Sequence, residues 1–371
     1  MSNPSLVLPA YGDGCLSSLI PALLGRTQRG GSGDSSWMPT TVVPERPTVL
    51  LVLDGLGWNQ LEARQHLAPT LAAMSASRLT STAPSTTATA LTSISTGLTP
   101  GEHGIVGYRM HMGDSVMNTL RWGNESGDCR RRYPPHMVQP CPPFMGERVP
   151  VVSRAEFEST GFTEAHLRGV RHEGWRAASS IPVVVGELLR QGESFVYAYY
   201  DGVDKIAHER GFGLHYDAEL QATDDLVSRL ISAMPTGSQL LVTADHGQVH
   251  VGDDTILLDS TVLAMVAAQS GEGRFRWLHA QRGQQGALLE FCRELYDDVA
   301  WVVSRQQVID EGWLGPRVTP DVERRLGDVA LVASSAVSFE DPADSGPFDL
   351  VCRHGSLTAD EMYVPFLAAE V

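Results

Sequence analysis

Acidic and imidazole side chains follow three apolar runs of the sequence, at the points where those runs end. Asp54 comes directly after the first run, Asp204 and His208 follow the second, and Asp245 and His246 follow the third. Asp204 and His208 are four residues apart, a spacing that on a helical turn places both side chains on one face, where they can share a cation. Each residue taken alone is also consistent with a helix cap, a turn or a surface hydrogen bond. Their recurrence after three runs favours a shared metal site.

The three apolar runs are rich in Val, Leu, Tyr and Phe, which is typical of buried strands. They comprise residues 48–53, 194–200 and 239–243, and an amphipathic pattern over residues 214–234 indicates a helix between the second and the third. Alternating strands and helices predict an α/β fold with a largely parallel central sheet and helices on both faces. Because parallel strands deliver their carboxyl ends to one edge, the sheet would bring the acids and imidazoles together.

A segment of small, hydroxyl-rich residues, 84–97, ends in a glycine that suits a helix C terminus. One interpretation is a helix N terminus that is capped by Ser or Thr. The other is that one of these hydroxyls is a nucleophile, since the amide dipoles at a helix N terminus favour the negative charge of a phosphate. Threonine is a weak nucleophile until it is deprotonated, which coordination to a metal would promote.

The net charge and the cysteine content indicate which binding partners and which cellular compartment suit this protein. The 371 residues carry a formal net charge of -16 with a single short basic run at residues 130–132, which argues against a nucleic-acid polymer as partner. Five cysteines without zinc-ribbon or redox-motif spacing predict reduced thiols. The first residues lack a basic leader, and the apolar stretch near residues 16–24 is broken by Pro21 and too short for a membrane span. The sequence therefore predicts a cytoplasmic protein with no membrane partner.

We expect one α/β domain over residues 1–371, with two additions to its core. Residues 108–180 are irregular and rich in proline, which suggests a cap or loop insertion that lines a substrate pocket. Residues 250–330 suggest a smaller α/β extension, with strands predicted near residues 287–291 and 300–303. Near the end of the chain, His354 taken alone would be an ordinary surface or core histidine.

Together these residues resemble the alkaline phosphatase superfamily, and most closely its type I phosphodiesterase/nucleotide pyrophosphatase family. The resemblance rests on five short stretches that occur in order, residues 51–55, 84–105, 200–211, 243–247 and 354–355. It implies an alkaline-phosphatase-like fold and a metal-dependent hydrolase of phosphoesters. The implied substrate is a small-molecule phosphoester, such as a nucleotide.

The resemblance also implies a role for each residue of the site. Thr87 would be the nucleophile and would form a covalent phosphothreonine, whereas His103 fits the family pattern in a structural role. Two divalent metal ions would be bound, and mixed carboxylate and imidazole ligands suit Zn²⁺ better than Mg²⁺, with Mn²⁺ as an alternative. The implied ligands are Asp54, Asp245, His246 and Thr87 for one metal, and Asp204, His208 and His354 for the other.

Two residues differ from the family pattern, and several classes of phosphoester or phosphonate substrate are therefore compatible with the sequence. Tyr108 stands where many nucleotide pyrophosphatases have an asparagine that contacts a phosphoryl oxygen, and a phenol can donate to the same oxygen with a different reach. Thr86 stands where the family usually has a lysine beside the nucleophile. A phosphomonoesterase or a phosphonate hydrolase could use the same residues, and a non-catalytic metal-binding protein is a further alternative.

Overall fold

The computed structural model of the protein describes residues 5–25, 36–343 and 350–371. One seven-stranded sheet dominates, and two four-stranded sheets accompany it. The strands are β1 (Thr48–Leu53), β2 (Ser75–Thr80), β3 (Arg109–His111), β4 (Val116–Asn118), β5 (Gly123–Asn124), β6 (Gly127–Asp128), β7 (Pro150–Arg154), β8 (Arg171–Trp175), β9 (Phe195–Tyr200), β10 (Gln239–Thr243), β11 (Val249–His250), β12 (Thr255–Leu257), β13 (Val266–Glu272), β14 (Phe275–Ala280), β15 (Ala300–Ser304), β16 (Val329–Ala333), β17 (Ser338–Glu340), β18 (Cys352–Arg353) and β19 (Tyr363–Glu370).

Helices connect and cover these strands. The α-helices are α1 (Leu19–Leu24), α2 (Trp58–Glu62), α3 (Pro69–Ala72), α4 (Thr87–Thr96), α5 (Pro100–His103), α6 (Pro135–Val138), α7 (Gly161–His166), α8 (Ile181–Arg190), α9 (Gly202–Arg210), α10 (Leu214–Ala233), α11 (Ser260–Leu263), α12 (Gln285–Tyr296), α13 (Arg305–Asp310), α14 (Pro320–Glu323) and α15 (Ala359–Met362). Short 3-10 turns occur at Leu16–Ser18, Gln65–Leu67, Pro143–Gly146, Ala155–Phe157 and Ala178–Ser180.

The central sheet has the strand order β2-β19-β10-β1-β9-β7-β8. The pairs from β10 through β8 are all parallel, whereas β19 runs antiparallel to both β10 and β2. Every residue of β1 and of β10 is buried, as strands covered on both faces require. The predicted largely parallel central sheet is confirmed.

The order β10-β1-β9 decides where the site forms. β1 ends at Leu53 directly before Asp54, and β10 ends two residues before Asp245. α9 begins directly after β9 and carries Asp204 in its first turn. Because these three strands are parallel neighbours, their carboxyl ends meet at one edge of the sheet.

The two predicted additions contain more regular structure than the sequence suggests. Residues 108–180 contain the small sheet β3-β4-β5-β6 and also contribute β7 and β8 to the central sheet. Residues 250–330 contribute β13, β14 and β15 to the second four-stranded sheet, which has the order β13-β14-β16-β15 and on which α12 packs. The strand predicted near residues 287–291 is wrong, because these residues lie in α12, where Leu288, Cys292 and Tyr296 form a buried face at helical spacing. The strand predicted near residues 300–303 is confirmed as β15.

Two features bear on the chain as a whole. All five cysteines are free thiols, and none of them forms a disulfide. Among the residues that the structure describes, no helix is both long and apolar enough to cross a membrane.

Candidate active site

Asp54, Asp245 and His246 form one cluster at the carboxyl edge of the central sheet. One ligand atom from each lies within 4.8 Å of the other two. His246 Nε2 is 3.5 Å from Asp54 Oδ1 and 3.4 Å from Asp245 Oδ2. Both of these oxygens are buried and have no hydrogen-bond partner among the described residues. Two carboxylate oxygens and one imidazole nitrogen, which are common metal ligands, therefore converge at a buried site.

The other atoms of these three side chains are held by hydrogen bonds that orient them. The Tyr199 hydroxyl donates a short hydrogen bond to Asp54 Oδ2. Asp245 Oδ1 accepts from the backbone amides of Gly55 and His246, each at 3.1 Å. His246 Nδ1 lies 2.9 Å from the carbonyl oxygen of Gly247, so Nδ1 carries the proton and Nε2 keeps its lone pair. The unpaired atoms are the ones that face each other, an arrangement that fits a cation.

A second cluster of Asp204, His208 and His354 adjoins the first. His208 Nε2 is 3.3 Å from Asp204 Oδ1. Asp204, His354 and His246 also place ligand atoms within 4.8 Å of one another, and the rings of His354 and His246 stack at 3.6 Å. His246 therefore lies between the two clusters.

Backbone carbonyls orient both histidines of the second cluster in the same way. His208 Nδ1 lies 2.6 Å from the carbonyl oxygen of Cys352, and His354 Nδ1 lies 3.0 Å from that of Ser85. A carbonyl only accepts, so each ring donates through Nδ1 and keeps Nε2 as a ligand atom. This tautomer is the one that metal-binding histidines commonly adopt.

Burial and neighbouring charged groups shift the pKa values of these side chains. Burial, together with the nearby carboxylates of Asp245 and Asp204, raises the pKa of Asp54 well above its usual value. Burial acts to raise the pKa of Asp204, but His208, His354 and His246 together outweigh it, and the pKa of Asp204 is lowered. Burial and the neighbouring histidines lower the pKa of His354. Holding carboxylates this close without a counter-ion is unfavourable, and a bound cation would relieve the repulsion.

Thr87 is placed at the junction of the two clusters. It is the first residue of α4, after the N-cap residue Thr86, and its Oγ1 lies 3.1 Å from His246 Nε2. Thr86 and Thr89, the neighbouring threonines, are 2% and 0% exposed, whereas Thr87 is only partly buried and lines two recesses. Among these threonines, Thr87 is therefore the one that combines access to a ligand with contact to the cluster.

The two recesses on either side of Thr87 differ in character. One is mostly apolar, with a volume of about 260 Å³, and Leu91 and Phe157 are among its walls. The other has a volume of about 290 Å³ and is lined by Tyr108, Glu272 and Arg353 as well as by the second cluster. Tyr108 and Thr87 therefore line the same recess.

The structure brings together all seven residues that the sequence analysis named as ligands or nucleophile. His103 lies away from both clusters, fully buried, with its ring 2.8 Å from the Ser93 hydroxyl. Sequence reasoning missed Tyr199, Glu272 and Arg353. Tyr199 carries a weak signal, since it is an aromatic residue one position before the end of a strand that leads into Asp204, but Glu272 comes from the second sheet and gives no local signal.

The sequence of this chain matches the model of a known protein family. A family model described as type I phosphodiesterase/nucleotide pyrophosphatase matches residues 48–174 and 174–356. The chain belongs to the type I phosphodiesterase/nucleotide pyrophosphatase family, whose name describes hydrolysis of phosphodiester and nucleotide pyrophosphate bonds. A search of curated proteins finds no match.

Solved structures share the fold at low sequence identity. Murine ectonucleotide pyrophosphatase/phosphodiesterase 5 is 14% identical, with a TM-score of 0.65 over 87% of this chain and 88% of that one. An inactive form of it in complex with AMP gives a TM-score of 0.64 at 14% identity, over 87% and 88% of the two chains. Phosphonoacetate hydrolase from Sinorhizobium meliloti 1021, with phosphonoformate, is 18% identical, with a TM-score of 0.65 over 87% and 90% of the chains. These similarities confirm the predicted alkaline-phosphatase-like α/β fold.

Proposed function

We propose that the protein is a metal-dependent phosphoester hydrolase, a phosphodiesterase or nucleotide pyrophosphatase that acts through a covalent phosphothreonine at Thr87. The observation that carries this proposal is the position of Thr87 Oγ1, 3.1 Å from His246 Nε2 at the junction of the two clusters. Membership of the family supports the reaction class. The partly buried position of Thr87 supports its choice over the two neighbouring threonines.

Two divalent metal ions fit the donor sets. Asp54, Asp245 and His246, with Thr87, would hold one ion, and Asp204, His208 and His354 would hold the other, a division that follows the family pattern. Mixed carboxylate and imidazole donors favour Zn²⁺, with Mn²⁺ as an alternative. When bound, such a pair lowers the pKa of a coordinated hydroxyl and offsets negative charge on the phosphoryl group and the leaving oxygen.

The residues of the chain then perform the displacement in two halves. Thr87 Oγ1 gives up its proton and attacks phosphorus in line, and the bond from phosphorus to the leaving oxygen breaks as the phosphothreonine forms. The displaced ester substituent departs as an alcohol that carries this proton. The amide dipoles at the N terminus of α4 favour the negative charge on the phosphoryl oxygens. Water then cleaves the phosphothreonine, which releases phosphate monoester and restores the Thr87 hydroxyl.

Thr87→Ala tests the nucleophile directly. It should abolish turnover of bis-p-nitrophenyl phosphate while the melting temperature and the metal content stay unchanged. Thr89→Ala is the matched control, because it removes a hydroxyl from the same helix that is fully buried and away from the recesses. Mass spectrometry of protein that is acid-quenched during turnover should find a p-nitrophenylphosphoryl group on Thr87. Full activity of Thr87→Ala would refute the assignment.

Elemental analysis tests the metal sites. Protein purified without a chelator should contain up to two transition-metal ions per chain, and dialysis against EDTA should abolish turnover until Zn²⁺ or Mn²⁺ is restored. The double variant Asp204→Ala/His208→Ala should lose one ion and keep the other. An unchanged metal count in that variant would contradict the division into two sites.

A phosphonate hydrolase or a phosphomonoesterase is the second candidate, and the polar recess favours it. Arg353 and Tyr108 line this recess beside Thr87, and a guanidinium suits the additional negative charge of a carboxylate or of a terminal phosphoryl group. Comparing bis-p-nitrophenyl phosphate, p-nitrophenyl phosphate and phosphonoacetate as substrates separates the candidates. A kcat/KM that is highest for the diester supports the first proposal.

A further inference from the structure

The apolar recess beside Thr87 has walls from several separate parts of the chain. Leu91 comes from α4, Leu120 from the segment after β4, Phe157 from a 3-10 turn, and Phe162 from α7. Its volume of about 260 Å³ lies just below the range of about 300–1,000 Å³ for pockets that hold drug-sized ligands. The recess therefore has room for one ring-sized substituent of an ester that reacts at Thr87.

Two hydroxyls in this recess are buried and unpaired. Ser153 of β7 and Tyr197 of β9 both line it, and their side chains are 3% and 1% exposed. Neither hydroxyl oxygen has a hydrogen-bond partner among the described residues. Since β7 and β9 are paired with Val151 opposite Tyr197, Ser153 and Tyr197 lie on the same face of the sheet. An unpaired buried hydroxyl is unfavourable in the free protein, and a ligand group that hydrogen-bonds to it would remove the penalty.

His166 adds a hydrogen-bond acceptor to the same recess. Its Nδ1 lies 2.7 Å from the carbonyl oxygen of Phe162, so Nδ1 carries the proton and Nε2 keeps a lone pair. Burial lowers the pKa of His166 to about 4, which leaves the ring neutral at neutral pH. The recess thus offers one nitrogen acceptor and two hydroxyls that can donate or accept, and none of the three is charged.

We propose that this recess selects phosphoesters whose substituent is an uncharged ring that carries a hydroxyl or amide group, and that Ser153, Tyr197 and His166 determine this specificity. The inference rests on the proposed function, because the ester must react at Thr87. A purely alkyl or aryl group would leave both buried hydroxyls unpaired. A charged group would lose its hydration without gaining a counter-ion from these three residues. Lys205 and Asp201 of the lining pair with each other at 2.6 Å, and the carboxylates of Asp54 and Asp204 belong to the two clusters.

Binding of aryl phosphonates tests the proposal without any turnover. Phenylphosphonate, 3-hydroxyphenylphosphonate and 4-hydroxyphenylphosphonate are titrated calorimetrically into the metal-loaded protein. At least one hydroxylated ligand should bind about tenfold more tightly than phenylphosphonate, the gain expected of one or two added hydrogen bonds. Equal affinity for all three ligands would overturn the proposal.

Two single variants, their double variant and one control variant test which hydroxyls produce the preference for the hydroxylated ligand. Tyr197→Phe and Ser153→Ala should each reduce the preference for the hydroxylated ligand and leave the affinity for phenylphosphonate unchanged. Tyr200→Phe is the matched control, since it removes a hydroxyl from the opposite face of β9 and should keep the preference. The melting temperature of Tyr197→Phe should not fall, because its hydroxyl has no partner among the described residues. A preference that survives in the Tyr197→Phe/Ser153→Ala double variant would refute the inference.

The two proposals fail in distinguishable ways. Equal affinity of the wild-type protein for the three phosphonates, together with normal turnover of bis-p-nitrophenyl phosphate, would overturn the role of the recess and leave the proposed function intact. A clear ligand preference together with undiminished turnover by Thr87→Ala would overturn the nucleophile and leave the recess intact.

Discussion

Replacing His103 with asparagine should remove a specific source of acid sensitivity from the protein. His103 is fully buried at the end of α5, where its Nδ1 accepts the backbone N–H of Ile105 at 3.1 Å and its Nε2 lies 2.8 Å from the Ser93 hydroxyl. An Nδ1 that accepts a hydrogen bond cannot also carry a proton. Burial, with a contribution from the charge of Arg325, lowers the pKa of His103 to about 3.

The size of the stability loss at acidic pH follows from the linkage between protonation of His103 and folding. The unfolded chain binds a proton at this histidine below its ordinary pKa of about 6.5, whereas the folded chain does so only below about 3. Stability therefore falls as the pH drops below about 6.5, and the loss is complete only below the folded pKa. At about pH 5 the difference of about 1.5 pH units corresponds to about 2 kcal/mol.

Urea unfolding of the metal-free protein at about pH 7.5 and about pH 5 measures this effect. Asparagine places an amide oxygen near the position of Nδ1, and its packing cost should be similar at both pH values because it does not titrate. Between the two pH values the wild type should lose about 2 kcal/mol more stability than His103→Asn. His66→Asn, at an exposed histidine, should lose as much as the wild type. The same loss in His103→Asn and the wild type would refute the reasoning.

Three further perturbations probe the site and the core. Tyr199→Phe removes the hydroxyl that donates to Asp54 and should lower metal affinity or phosphodiester kcat/KM about 10–100-fold, measured by elemental analysis and steady-state kinetics; unchanged values would contradict an orienting role. Arg274→Met breaks a fully buried ion pair in which the guanidinium lies 2.7 and 2.8 Å from the two carboxylate oxygens of Glu361, and it should lower the free energy of unfolding by about 3–5 kcal/mol in a urea titration. A loss below about 1 kcal/mol would show that the pair is not desolvated. Tyr108→Phe should lower kcat/KM for bis-p-nitrophenyl phosphate about tenfold if the phenol donates to the phosphoryl group, and wild-type kinetics would exclude that contact.

Local sequence patterns were sufficient to predict the centre of the fold. The runs that form β1, β9 and β10 are mostly apolar because both faces of a parallel sheet are covered, so strand and burial are encoded in the same residues. Acids directly after such runs are brought together by any parallel arrangement of neighbouring strands. Resemblance to the family added Thr87 and His354, which no local pattern singles out.

Long-range packing set how other segments fold and which residues surround Thr87. Ala287 to Phe291 is a short apolar run that suits a strand or a helix, and packing of α12 on the second sheet selected the helix. The apolar recess is lined by residues far apart in the chain, such as Leu91 of α4, Ser153 of β7 and Tyr197 of β9. Periodicity reports which face of an element is buried but not which element covers it. The order of residue types along the chain was therefore enough to predict which acids and imidazoles meet at the sheet edge, whereas the residues that lie beside Thr87 depend on packing between distant segments.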